Sequence, residues 1–255
     1  DTKILLSRAQ DNAEMALKKG EPCFMPFLSD FEQAFVTRYA SYSRDDEKLL
    51  FFGGYKESDY KCAGFFPRYL FYDEEYDPYA DFPVCTVLAE GSGFRRLTHR
   101  DFLGAIMSLG IKREMIGDIV VAEDGFSAYI FCLKKAADYL VDNFKAAAND
   151  KISCRLYANE DITIPEKKYE VINATVSSPR LDAVLCACIN VSREEAGKMI
   201  LSGLVSADHI VAEDKSKICG EGSVISVRGY GKFVINKIGD RNRRDRLRIS
   251  IYRYV

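Results

Sequence analysis

The chain lacks most of the residue clusters that carry catalysis. It has only two histidines among 255 residues, His99 and His209, and both are isolated, with no nucleophile–base spacing beside them. Eight cysteines are scattered along it, and none forms a C-x-x-C pair. Cys186 and Cys188 lie two apart on an expected helix, so they point different ways and make a poor metal pair. Most of the cysteines have apolar neighbours and read as reduced, buried thiols of a cytosolic protein. No metal, cofactor or small-molecule substrate is expected. No apolar run approaches the ~18–20 residues that span a bilayer. Residues 1–20 mix charges with apolar positions and have no signal-peptide block. Gly91-x-Gly93 is too short, and lacks the following helix, for a nucleotide-phosphate turn. There is no internal repeat and no low-complexity tract.

A strong net charge is missing as well. With 36 Lys+Arg against 38 Asp+Glu the formal charge is −2, and 47% of residues are apolar. That excludes a uniformly basic coat for nucleic acid and an extended disordered chain. The near-zero sum hides segregation, however. From Ser178 onward there are 14 Lys+Arg against 9 Asp+Glu, a balance of +5, which leaves −7 on the first 177 residues. Between Asp45 and Glu90 eleven acids face four bases, whereas Arg228–Val255 holds nine bases against Asp240 and Asp245. An acidic front with a basic back points to nucleic-acid contact at the basic end.

The length suits one to three domains, and the patterning suggests three units of α+β class. In the first, residues 1–80, Ile4, Leu5, Ala9 and Ala13 keep helical spacing until Pro22 and Pro26 interrupt. Ser29 or Asp30 suits a cap for a second helix with Phe31, Phe35 and Tyr39. Lys48–Phe52 and Ala63–Phe66 read as strands about Gly53-Gly54, and Asp73–Asp81 as a linker. Residues 81–160 follow the order β-α-β-β-α-β, the ferredoxin-like topology that RNA-recognition sheets use. Its strands are Val84–Ala89, Ile119–Ala122, Ala128–Leu133 and Lys151–Tyr157. Its first helix opens at the capping box Thr98-His99-Arg100-Asp101 and stops at Gly110. Its second is Lys134–Ala148. After a connection at Asn159–Lys168 and a strand at Glu170–Val176, the last unit spans 178–240, with a basic extension at 241–255. Ser178-Pro179 reads as cap and first helical position, with Leu181, Val184, Leu185 and Cys188 as one apolar stripe. Ser192-Arg193-Glu194-Glu195 reads as a second capping box. Strands are expected at Leu204–Ala207, Val224–Arg228 and Lys232–Lys237.

This last unit resembles the S4 RNA-binding domain. The match rests on Arg180-Leu181-Asp182-x-x-Leu185, Ser192-Arg193-x-x-Ala196-x-x-x-Ile200, Gly203-x-Val205 and Gly222-Ser223-Val224-Ile225-Ser226-Val227-Arg228-Gly229. The chain departs from the pattern at Asp208, where the family usually carries Asn, and at Gly222-Ser223, usually Gly-Asp. Leu97–Ile119 and Gly53-Gly54-Tyr55 resemble hallmarks of the bacterial YlmH family, although Asp59-Tyr60 stands where Glu-Arg is usual. That resemblance covers nearly the whole chain. It implies an N-terminal domain, a middle RNA-binding domain and a C-terminal S4 domain with two helices and a small β-sheet. It further implies a cytoplasmic, non-enzymatic protein that binds structured ribosomal RNA or transfer RNA at the large ribosomal subunit, in quality control of stalled translation.

On that reading Arg180, Arg193 and Lys198 project outward from the two helices, with Arg228 and Lys232 on the strand side. Ser192 is a cap first and an RNA contact second. Arg forks across two phosphate oxygens where Lys acts as a point charge. No aromatic interleaves these bases, so shape and backbone recognition is expected over stacking. Arg241, Arg243, Arg244, Arg246 and Arg248 either extend that groove or form a charged end. Arg100, Lys112 and Arg113, flanking the helix that starts after Thr98, are candidates for a second RNA contact. His99 reads as structural. The competing reading is an RNA-modifying enzyme with an appended S4 domain, a pseudouridine synthase or a methyltransferase. Against it, Arg180-Leu181-Asp182 opens a helix and is not followed by a catalytic loop.

Overall fold

The computed structural model describes residues 2–40, 46–158, 169–208 and 210–254. The connection expected at Asn159–Lys168 and the isolated His209 lie outside the described residues. The chain divides into two compact units, residues 1–165 and 166–255.

The first unit begins with α1 (Thr2–Lys19), β1 (Cys23–Leu28), α2 (Asp30–Ala40), β2 (Glu47–Phe52) and β3 (Lys61–Pro67), in a sheet of order β1-β3-β2. Strand β1 falls where Pro22 and Pro26 led us to expect only an interrupted helix. It is an edge strand, and Pro26 sits in a register irregularity between Phe24 and Phe27, where no ladder N–H is missed. Ser29 caps α2, with its backbone N–H and hydroxyl both donating to Glu32 Oε2. Residues 68–72 form a 3-10 turn just before the linker expected at Asp73–Asp81.

The rest of this unit is β4 (Val84–Gly91), α3 (His99–Ser108), β5 (Ile116–Val121), β6 (Ser127–Leu133), α4 (Lys134–Asn143), β7 (Ala146–Ala147) and β8 (Asp150–Tyr157). The sheet order is β5-β6-β4-β8-β7, with every pair antiparallel. Apart from the two-residue β7, that is the ferredoxin-like split βαβ arrangement. Thr98 makes the full capping box: its backbone N–H donates to Asp101 Oδ2 at 2.8 Å and its hydroxyl accepts from Asp101 N–H. Phe102 and Ile106 of α3 and Ala137 and Leu140 of α4 are buried with Val87, Ala89 and Ile130, so both helices cover one sheet face. Helix α4 ends five residues before the expected Ala148. The chain turns into β7, and Ala148 and Asn149 take positive φ to reverse it into β8.

The second unit contains β9 (Tyr169–Val176), α5 (Leu181–Ile189), α6 (Arg193–Leu201), β10 (Val205–Ala207), β11 (Ile210–Val211), β12 (Val224–Val227), β13 (Gly231–Arg241) and β14 (Leu247–Tyr254). They form one antiparallel sheet of order β11-β10-β12-β13-β14-β9. The stripe Leu181, Val184, Leu185 and Cys188, with Ala196 and Ile200, is buried against Ile225, Phe233, Ile235, Ile249 and Ile251. Fully burying one such Leu or Ile side chain contributes roughly 1.5–3 kcal/mol. Residues 241–255, read as a basic extension, are for the most part strand β14, hydrogen-bonded between β13 and β9.

Candidate nucleic-acid interface

The interface region is built where α5 and α6 begin. Ser178-Pro179 does not cap α5; Arg180 is the N-cap residue, in extended conformation and without a side-chain cap bond. The free N–H groups of this helix start are met from the 215–217 loop. Leu181 N–H donates to the Lys217 carbonyl at 2.8 Å and Asp182 N–H to the Lys215 carbonyl at 3.0 Å. The carboxylate of Asp182 then accepts from Ala183 N–H at 2.9 Å. Ser192 caps α6 by accepting from Glu195 N–H at 3.1 Å, one half of the expected capping box.

Asp182 joins the two helix starts. Arg180 donates to it twice, Nε to Oδ1 and Nη2 to Oδ2, each at 3.2 Å. Arg193 Nη2 reaches Oδ1 at 3.4 Å. The carboxylate is nearly buried, with a side-chain exposure of 9%, while Arg180 and Arg193 remain 36% and 54% exposed. Burial pushes the Asp182 carboxyl up, but the Arg180 hydrogen bond and the charges of Arg193 and Arg180 outweigh it and hold it below its usual range. The same hydrogen bond raises Arg180. One buried anion thus fixes two half-open guanidinium groups, each with N–H donors left for a further acceptor.

The other cations expected with this pair are placed differently. Lys198 lies five residues beyond Arg193, about 140° around the helix, and pairs with Glu194 at 2.7 Å. Arg228 is exposed in the hairpin between β12 and β13. Lys232 alternates with the buried Phe233, which puts it on the sheet face away from the helices. Asp208, where the S4 pattern has Asn, takes a φ of +52°, accepts from Val224 N–H at 3.1 Å and pairs with Lys217 at 3.0 Å. Its charge is compensated and its role is to hold a turn.

In the first unit Arg100 and Lys112 are exposed. Arg113 donates to the Ile116 carbonyl and lies over the Tyr60 ring, 4.0 Å from its centroid, a cation–π contact that holds it inside the fold. Beside it is a junction whose role the sequence did not show. Asp118 accepts from the Tyr55 hydroxyl at 2.7 Å, Asp59 N–H at 2.8 Å and Tyr60 N–H at 3.1 Å. Tyr55 also lies against Phe131, with centroids 4.8 Å apart. Gly54 has φ +99°, and a Cβ there would lie 2.3 Å from Phe131. The Gly53-Gly54-Tyr55 motif is therefore a clasp over the helix-free face of the β5-β6-β4-β8 sheet. Among the described residues no His/Cys/Asp/Glu group is arranged to hold a metal ion. All eight cysteines are free thiols, and burial pushes Cys62 and Cys188 up to about 12. No described helix is long and apolar enough to cross a membrane.

The chain is similar to known proteins along most of its length. Residues 80–161 match the family described as "Putative RNA-binding domain in YlmH". The chain is 32% identical over 228 residues to "Ribosome-associated protein quality control protein P2" of Bacillus subtilis (strain 168), covering 89% of this chain and 85% of that protein. A solved structure, "Cell division protein ylmH from Streptococcus pneumoniae", aligns with a TM-score of 0.49 at 21% identity, over 61% of this chain and 90% of that one. With a curated relative matched along most of both sequences and the YlmH domain description falling on strands β4 to β8, the chain belongs to the YlmH family.

Proposed function

We propose that this protein is a non-catalytic RNA-binding factor that works on the ribosome in quality control of stalled translation. In this reading it docks on structured RNA of the large subunit, ribosomal or transfer RNA, through the start of α5 and the start of α6. The observation that carries the reading is the Arg180–Asp182–Arg193 triad, whose guanidinium groups are held in place with donors still open. Phosphate oxygens fit those donors, and such contacts position a protein on RNA without reading sequence. The curated relative's name supports the setting, and the family match on residues 80–161 supports RNA as the ligand. Arg228 adds charge near the β12–β13 hairpin. Arg100 and Lys112 form a second, weaker contact, and Arg113 shapes that surface from within. Lys198, paired with Glu194, contributes little, and Ser192 acts as a cap. Such a factor works in the cytoplasm.

Co-sedimentation with purified ribosomal subunits, with and without peptidyl-tRNA, tests this. The protein is expected to pellet with large subunits, more strongly when peptidyl-tRNA is present. Pelleting only with small subunits would refute the reading. So would turnover on ribosomal RNA, seen as methyl transfer from S-adenosylmethionine or release of tritium from labelled uridine.

A further inference from the structure

The five-arginine run is only partly explained by folding. Arg241 pairs with Asp245 at 3.3 Å, and Arg246 donates to the Thr175 hydroxyl at 3.2 Å. Among the described residues Arg248 makes no such bond, and neither does Lys237 on the adjacent strand β13. Both lie on the same surface. In β9 and β14 the residues Ile172, Ala174, Val176, Ile249 and Ile251 point to the helices. The alternate residues, including Asn173, Thr175, Arg248 and Ser250, must therefore face the other way. The register sets Ser250 opposite both Asn173 and Lys237, and Arg248 opposite Thr175. Together with Gly239 they line a depression of about 660 Å³. Lys232 shares this face farther along β13.

Two features identify the ligand class. First, none of the residues that β9 and β14 turn to this face is an Asp or Glu, in a chain that is acidic overall. Second, the face carries an aromatic pair: Tyr169 and Tyr252 have centroids 4.1 Å apart at 32°. Tyr169 is 49% exposed and its neighbour on the face, Val171, 52%. From Tyr252 to Arg248 is four strand residues, about 13 Å. An open sheet with stacking rings at one end and cations with hydroxyls at the other suits bases that are splayed out. A duplex presents its bases edge-on in grooves that a flat sheet does not enter.

We propose that the outer face of β13, β14 and β9 is a second RNA site that takes an unpaired segment. Bases stack on Tyr169 and Tyr252, and phosphates are held by Lys237 and Arg248. The site rests on the reading of the chain as an RNA binder but uses none of the residues of the α5–α6 triad.

The test uses the full chain, a fluorescein-labelled oligouridine 12-mer and a labelled ribosomal RNA hairpin, with anisotropy read from 50 to 200 mM KCl. Lys237→Ala/Arg248→Ala is expected to weaken oligouridine binding at least about fivefold and to lower its log–log salt slope by about 1.4, two contacts at ~0.7 each. Hairpin binding should stay within about twofold. Tyr169→Leu, which keeps apolar bulk and removes the ring, should weaken oligouridine by a similar factor, as loss of one stacked base does. Arg180→Ala/Arg193→Ala should do the reverse, losing the hairpin and keeping the oligomer. The proposal is overturned if oligouridine affinity and slope are unchanged in Lys237→Ala/Arg248→Ala, or if the hairpin is lost in parallel. It is also overturned if a polyglutamate peptide displaces the oligomer more readily than unlabelled oligouridine does, since that marks an acidic protein partner. Failure of oligouridine alone to bind leaves the α5–α6 reading intact; failure of the hairpin as well defeats both.

Discussion

Removing Asp182 sets two effects against each other. Asp182→Ala deletes a negative charge beside the proposed phosphate contacts, which by itself favours RNA. A phosphate on the far side of either guanidinium lies roughly 7 Å from that carboxylate in such a geometry. At an effective dielectric of about 40 and a Debye length near 8 Å, the repulsion removed is about 0.5 kcal/mol. Against this stands order. An Arg side chain carries about 2 kcal/mol of rotamer entropy, and Asp182 restrains two of them. Because both guanidinium groups are half open, we take about half of that entropy as already lost, roughly 1 kcal/mol each. With one phosphate at each guanidinium the repulsion removed totals about 1 kcal/mol, so the second effect wins by about 1 kcal/mol and hairpin RNA should bind about fivefold more weakly at 150 mM salt. Asp182→Asn, which keeps an oxygen for Ala183 N–H and one Arg180 donor, should recover part of the loss. Anisotropy titrations of the three proteins against one labelled hairpin decide the matter. Tighter binding by Asp182→Ala at 150 mM salt would show that charge alone governs this surface and would refute the positioning argument.

Three further outcomes follow from the geometry. Gly54→Ala, which needs positive φ and drives a Cβ into Phe131, should lower stability by about 2–4 kcal/mol in urea unfolding; a change under 0.5 kcal/mol would contradict the clasp. Asp118→Ala removes the shared acceptor of one hydroxyl and two backbone N–H groups and should cost about 2–4 kcal/mol, while Asp118→Asn should cost less. For Asp182, whose folded carboxyl lies below its usual range, the sign of the pH dependence is fixed. Its charge stabilises the fold above the unfolded value of ~3.9 and that contribution fades as pH falls through the folded value. The stability gap between wild type and Asp182→Asn should therefore be level above pH 5 and close below pH 4; a gap that grows on acidification would be inconsistent with this.

Local signals carried much of the fold. Thr98-His99-Arg100-Asp101 marked a helix start because its two side-chain bonds are made within four residues, and the β-α-β-β-α-β order is visible as alternating periodicities. What was not legible is what depends on distant partners. Strand β1 was hidden by Pro26, which is tolerated only because β1 is an edge with an irregularity at that point. Strand β14 pairs with β9 some 75 residues earlier, and its arginines drew attention from the alternation Leu247, Ile249, Ile251 that marks a strand with one buried face. At the site, Arg180 and Arg193 were found from their motif, and Asp182 was in that motif without an assigned role. Lys198 lies off the apolar stripe as Arg193 does, and Lys232 is expected on the strand side; the angle around α6 with the Glu194 pairing, and the alternation along β13, set them apart from the arginine pair.

The central claim is that the arginine pair at the starts of α5 and α6 is the main RNA contact. Its most direct test is the salt dependence of large-subunit binding by wild type and Arg180→Ala/Arg193→Ala, with folding checked by circular dichroism. Loss of two phosphate contacts should lower the log–log slope by about 1.8 in duplex-like RNA, with much weaker binding at 150 mM salt. A folded double variant with wild-type affinity and slope would contradict the claim.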